Sequence, residues 1–175
     1  MKEQAATRCF QMQRDLAHPI PETAAPTGVT VRAWHMEAEE EQRRYLAACS
    51  AAFHDAWDLS ALQRFLRSPL WQHGTTFTAF AGEEVAGSVL AYYDPDSNSN
   101  RKRIGRITHV FVLPPWRRRG VARYLLRASL VYLKLQGMAI AELEVVADNR
   151  QALSVYDALG FYLAQDQELQ VTAAE

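Results

Sequence analysis

The chain has 175 residues, enough for one domain with a substantial core, and its 49% apolar content with only eight Gly and seven Pro suits a globular protein. A formal net charge of −1 argues against general nucleic-acid binding, and two cysteines, Cys9 and Cys49, without C-x-x-C spacing suggest neither a disulfide framework nor a metal site. No apolar run approaches the ~20 residues a bilayer needs, and Met1-Lys2-Glu3-Gln4 opens without an apolar stretch, so no membrane partner and a cytoplasmic location are expected.

Residues 1 to 27 read as a strand-like arm, Phe10-Gln11-Met12-Gln13 with Arg14-Asp15-Leu16, followed by a linker carrying Pro19, Pro21 and Pro26. A main domain is expected from residue 28 to 175. Val29 to Arg32 predicts a strand, Glu37 to Phe53 a helix, and Ser60, a plausible N-cap, a second short helix to about Arg67. Thr76 to Ala81 and Val85 to Tyr92 flank Gly82-Glu83-Glu84 as a hairpin, and a polar loop from Asp94 to Asn100 leads to a strand from Arg106 to Val112. Pro114-Pro115 ends that strand. Val121 to Gln136 then repeats apolar residues at helical spacing, and Ala141 to Val145 is a further strand. Asn149 begins a last helix that Gly160 ends with a left-handed cap, and the segments at Phe161 to Leu163 and Glu168 to Val171 supply one or two terminal strands. An antiparallel meander feeding one strand-helix-strand crossover implies an α/β protein, with a mixed, mainly antiparallel central sheet and helices on both faces.

Charge is unevenly placed along this order. Ten of the nineteen basic residues lie between Ser97 and Ala141, where there is no acid, and they culminate in Arg117-Arg118-Arg119-Gly120-Val121-Ala122 between a strand and a helix. The first amides of a helix lack intrahelical acceptors and sit at the positive end of its dipole, so this junction suits an anion, a diphosphate better than a carboxylate. Gly120 keeps a side chain out of the way and the arginines add charge. A solvated basic turn is the plainer alternative.

Two motifs then come together. Arg117-x-x-Gly120-x-Ala122 after Val110-Phe111-Val112-x-Pro114, with Asn149-x-x-Ala152-x-x-x-Tyr156-x-x-x-Gly160-Phe161 about thirty residues on, closely resembles the GNAT superfamily of acyl-CoA-dependent N-acetyltransferases. The resemblance runs over roughly residues 28 to 172, and includes likeness to ribosomal-protein alanine N-acetyltransferases and mycothiol-synthase-type modules. It implies a GNAT fold, acetyl-CoA as cosubstrate with no metal, and an amine acceptor, either a small molecule or a peptide or protein. It also implies that Val110, Phe111 and Val112 present main chain to the acetyl and pantetheine portions, and that the amide of Val112 stabilises the oxyanion. The amides from Arg118, Arg119, Gly120, Val121 and Ala122 to Arg123 would hold the pyrophosphate, Asn149 would contact the pantetheine arm, and Tyr156 would protonate the departing thiolate.

Acyl transfer to an amine explains the need for such groups. The acceptor ammonium must lose a proton before attack, and the thiolate benefits from a donor. Glu144, in Leu143-Glu144-Val145-x-x-x-Asn149, resembles the glutamate base of the ribosomal-protein enzymes; otherwise it is an exposed strand-end carboxylate, with water as base. Many relatives carry a glutamate or a histidine pair on the strand where this chain has Arg106 and Thr108. By the period of two, His109 should face away from Thr108, Val110 and Val112. Tyr156, spaced with Ala152 and Leu159, could equally be core packing. Phe53, His54, Asp55 and Trp57 are expected to wall the acceptor, an aromatic and acidic surface suited to a cation. The arm resembles the strand that closes a module of this kind and is expected to add to its own sheet or a neighbour's, in a monomer or homodimer. Beside direct acetyl transfer in a ternary complex stands a non-catalytic acyl-CoA-binding or sensing module, and third a nucleic-acid role for the basic patch.

Overall fold

The computed structural model describes residues 7–53, 57–96 and 103–169. Among the described residues, seven strands and four α-helices follow in chain order: β1 (Thr7–Asp15), β2 (Thr30–Trp34), α1 (Glu39–Ala52), α2 (Leu59–Leu66), β3 (Gly74–Ala81), β4 (Glu84–Tyr93), β5 (Ile104–Val112), α3 (Val121–Leu135), β6 (Ile140–Val146), α4 (Arg150–Ala158) and β7 (Tyr162–Leu169). They form one sheet in the order β2-β3-β4-β5-β6-β1-β7. Among the described residues, β5 and β6 pair in parallel and every other neighbouring pair is antiparallel.

Helices cover both faces. The stripe Val121, Leu125, Leu126, Leu130 and Leu133 of α3 and Tyr156 of α4 pack with Met12, Ile107, Leu143 and Val145. On the opposite face Tyr45, Ala48 and Cys49 of α1 and Leu62 of α2 pack with Trp34, Phe80 and Phe111. Burying such side chains contributes about 1.5–3 kcal/mol each. The structure begins α2 at Leu59, one residue before the expected cap Ser60: the N-cap is Asp58, whose Oδ1 accepts from the Ala61 amide at 2.7 Å. We expect Asp58→Ala to cost about 1 kcal/mol in chemical unfolding and Ser60→Ala under about 0.5; equal effects would contradict this capping.

The arm is β1, and it lies inside the sheet. It runs antiparallel to β6 on one side and to β7 on the other, in register Gln13↔Glu142 and Gln13↔Tyr162. Its alternation explains the fit, since Phe10, Met12 and Leu16 join the core under α3 while Gln11 and Gln13 take the other face. The linker then crosses α3, where Arg127 Nη2 meets Glu22 at 2.8 Å and Arg127 Nε donates to the Pro21 carbonyl at 3.2 Å. The carboxyl end supplies one strand, β7; Gln170 and Val171 lie outside the described residues.

Candidate active site

β5 and β6 are paired only where Ile104 to Arg106 meet Ile140 to Glu142. Beyond that they part, leaving a cleft of ≈ 330 Å³ between them. Tyr156 and Asn149 line it from α4, Val110 and Val145 from the strands, and Glu144, His109 and Phe53 toward the α1 side. Thus Val110 of β5 shares one opening with Glu144, Asn149 and Tyr156 from the later β6–α4 segment.

A bulge shapes its β5 wall. Ser88 pairs with Phe111 but Leu90 with Thr108, so two residues of β5 oppose one of β4. His109 takes φ +50, left-handed backbone that a histidine seldom adopts. The alternation expected for His109 therefore fails: its Nδ1 lies 3.2 Å from Thr108 Oγ1, and its ring lies against Trp57 and Phe53, with centroids at 4.2 and 6.3 Å. Burial lowers its pKa, favouring neutral imidazole. His54 and Asp55, the other expected wall residues, lie outside the described residues.

Past the bulge, Phe111 is buried among Tyr45 and Phe53, so its side chain serves the core. The Leu113 amide donates to the Ala86 carbonyl at 2.8 Å, so by strand alternation the main chain of Val112 turns away from β4, to the side on which β5 and β6 part. The Val112 carbonyl there accepts Arg117 Nε at 2.8 Å. Arg117 thereby ties the loop to β5, and Arg119 lies 5.1 Å over the Trp116 ring, so two of the three consecutive arginines are engaged by protein. Arg118 at φ +60 and Gly120 at φ +78 turn the loop into α3, whose first intrahelical bond, Tyr124 N to Gly120 O, leaves the amides of Val121, Ala122 and Arg123 without helical acceptors. A Cβ at Gly120 would meet nothing within 4 Å. Amides, dipole, arginine charge and open space together fit a diphosphate. Of the more distant basic residues, Arg103 is exposed, while Arg101 and Lys102 lie outside the described residues.

Tyr156 is 5% exposed, and burial pushes its phenol up to about 12. The hydroxyl has no hydrogen-bond partner among the described residues, although it lines the cleft. Asn149 caps α4 through its Oδ1, which accepts from the Ala152 amide at 3.1 Å. Glu144 is exposed and faces Gln11 across the β6–β1 ladder.

Sequence reasoning missed a charged cluster on the same wall. Glu142 is 3% exposed; its Oε1 takes Arg106 Nη1 at 2.5 Å and its Oε2 takes Gln13 Nε2 at 2.7 Å. Both oxygens are committed, which leaves Glu144 as the uncommitted carboxylate of β6. Glu142 alternates with apolar neighbours as Glu144 does, a signal of the same kind, but its partner depends on a parallel register with Arg106 that sequence does not reveal.

The profile of the Acetyltransferase (GNAT) family matches residues 30–161. A mycothiol acetyltransferase of a Nocardioides species is 30% identical over 174 residues, covering 92% of this chain and 59% of that protein. The chain spans about half the length of the curated relatives it matches. A GCN5-related N-acetyltransferase from Sphaerobacter thermophilus shares the fold with TM-score 0.74 at 22% identity, over 92% of this chain and 49% of that one. The ribosomal-protein-S18-alanine N-acetyltransferase of Escherichia coli does so with TM-score 0.61 at 19% identity, over 75% and 76%.

Proposed function

Because the chain belongs to the GNAT acetyltransferase family, we propose that it moves an acetyl group from acetyl-CoA to a primary amine by direct transfer in a ternary complex. The observation that carries this reading is the cleft, where a phenol without a protein partner and an uncommitted carboxylate meet beside Asn149 and Val110, with the open first amides of α3 following on the loop that leaves β5. Acetyl-CoA supplies a thioester: the amine nitrogen forms a bond to its carbonyl carbon as the carbon–sulfur bond breaks.

The chain's own residues divide the work. The loop from Arg117 to Gly120 and the amides of Val121, Ala122 and Arg123 bind the diphosphate, and Asn149 and the main chain of Val110 and Val112 line the path of the pantetheine arm. The Val112 amide, turned to the side on which β5 and β6 part, stabilises the negative oxygen that develops on the carbonyl. Tyr156 stays protonated through the neutral range because burial raises its pKa to about 12. A thiol titrates near 8.5, so passing the phenol proton fully to a thiolate runs uphill by roughly 3 units. Tyr156 therefore acts chiefly as a hydrogen-bond donor to the departing sulfur, and solvent supplies the final proton. Glu144 takes the proton the acceptor nitrogen loses.

Cys9 pairs with Val146 in the β1–β6 ladder, so its side chain shares a face with Glu144. Burial and the charge of Glu144 both raise its thiol pKa, which disfavours the thiolate that a covalent acetyl-enzyme would need. CoA release measured against a panel of amines tests the reaction. Tight acetyl-CoA binding with no release for any amine would instead identify a binding or sensing module.

The base is tested by pH. Glu144→Gln is expected to lower kcat about 10- to 100-fold near pH 7. The deficit should shrink as pH rises toward ~10.4, where a growing share of an aliphatic amine arrives already deprotonated. An unchanged profile in Glu144→Gln, with the acidic limb lost in His109→Asn, would move the base to His109.

A further inference from the structure

Two consecutive residues of β1 project to opposite faces of the sheet. Gln13 projects to the α1 face and holds Glu142, as described above. Arg14 projects to the other face and is 4% exposed. Its Nε donates to the Leu159 carbonyl at 2.6 Å, Nη2 to the Pro19 carbonyl at 2.7 Å, and Nη1 to the carbonyls of Asp15 and His18 at 2.9 and 3.5 Å.

All four acceptors are main-chain carbonyls. A sheet does not require such a residue there: Phe10 and Met12 on the same strand, and Leu16 just past its end, pack with the core, and an apolar side chain at position 14 would complete that row without desolvating a charge. The Leu159 carbonyl sits just past the end of α4, where a cation is favourable. That turn carries Tyr156. The amides of Leu159 and Phe161 both donate to the Tyr156 carbonyl, at 3.1 and 3.0 Å, and the Phe161 ring packs on the phenol at 5.8 Å between centroids. α4 is nine residues long, too short to hold its place without tertiary anchors. Asn149 caps its amino end, and Arg14, 145 residues from Leu159 in sequence, grips the other.

Resting on the reading of Tyr156 as donor to the departing sulfur, we propose that Arg14 is a positioning residue for that donor, so that the amino-terminal strand belongs to the transfer machinery as well as to the sheet.

The test is a double-mutant cycle in the full chain, reading kcat and the KM for acetyl-CoA with an amine that the panel identifies, and thermal unfolding of each variant. Arg14→Met is expected to lower kcat about tenfold while the KM for acetyl-CoA moves less than about threefold. Arg14→Lys, which keeps the charge but replaces the planar fork with a single ammonium, should fall between. In the Tyr156→Phe background the same substitutions should change kcat by less than about twofold. Equal losses in both backgrounds would overturn the proposal and leave Arg14 a purely structural cation; unchanged kcat in the Tyr156 background would overturn it too. If Tyr156→Phe alone costs nothing, the donor reading and this proposal fall together, whereas additive losses remove only the proposal. Should Arg14→Met fold poorly, the Arg14→Lys arm decides by the same criterion.

Discussion

Tyr156→Phe is expected to lower kcat for acetyl transfer about 10- to 100-fold and to leave the KM for acetyl-CoA within about threefold. The substitution removes one oxygen and preserves the ring that packs against Phe161, so the core under α4 is retained. Since the Tyr156 hydroxyl has no hydrogen-bond partner among the described residues, no fold hydrogen bond is lost with it. Unfolding stability should therefore change little. The kinetic deficit should persist across the neutral range, because a phenol near 12 does not titrate there. A deficit that varied with pH between 6 and 9 would point to another group.

Gly120→Leu is expected to weaken CoA binding at least about 50-fold, roughly 2 kcal/mol by calorimetry. Two effects must be separated. At φ +78 any side chain is strained, at a cost of about 1–2 kcal/mol of stability, and Gly120→Ala carries that strain alone. In the ligand-free fold a Cβ has nothing within 4 Å, so Leu adds little further crowding against protein. The difference in CoA affinity between the Leu and Ala variants therefore reports the space the diphosphate needs beside the first amides of α3. Equal affinities for the two would falsify the assignment of this loop to the diphosphate.

Strong periodicity was the most legible feature. Apolar spacing from Val121 bounds α3 to within a residue of its observed end at Leu135, and Asn149 and Gly160 mark the two ends of α4, with Gly160 at φ +85. Capping was legible in kind but not in place, because Asp58 and Ser60 are both good caps and only the folded turn shows which oxygen meets the Ala61 amide. The bulge at His109 left no such trace: histidine carries no turn signature, and one extra residue is enough to put Thr108 and His109 on one face.

Strand identity and strand partnership differ in the same way. The alternation of Phe10 to Gln13 discloses a strand, but its neighbours are set by residues at the far end of the chain. Arg106, Glu142 and Gln13 meet only because β5, β6 and β1 lie side by side in one register. In the candidate site, the motif positions Val110, Asn149 and Tyr156 reach the cleft together with Glu144, while Arg117 and Arg119 turn out to brace the loop.

The interior position of β1 also sets a timetable for folding. A nascent chain makes β1 long before β6 and β7 exist, and at about 5–20 residues per second the interval is roughly 6–30 s. Until then Phe10, Met12 and Leu16 have no sheet to enter, and when β6 emerges one edge stays open for either β1 or a strand from another molecule. The sheet closes only after synthesis has passed β7, and its closure is slowed by long-range pairing. Ribosome-bound chains ending before Ile140 should accordingly expose β1 to protease, and chains in which β6 and β7 have cleared the ribosome should protect it.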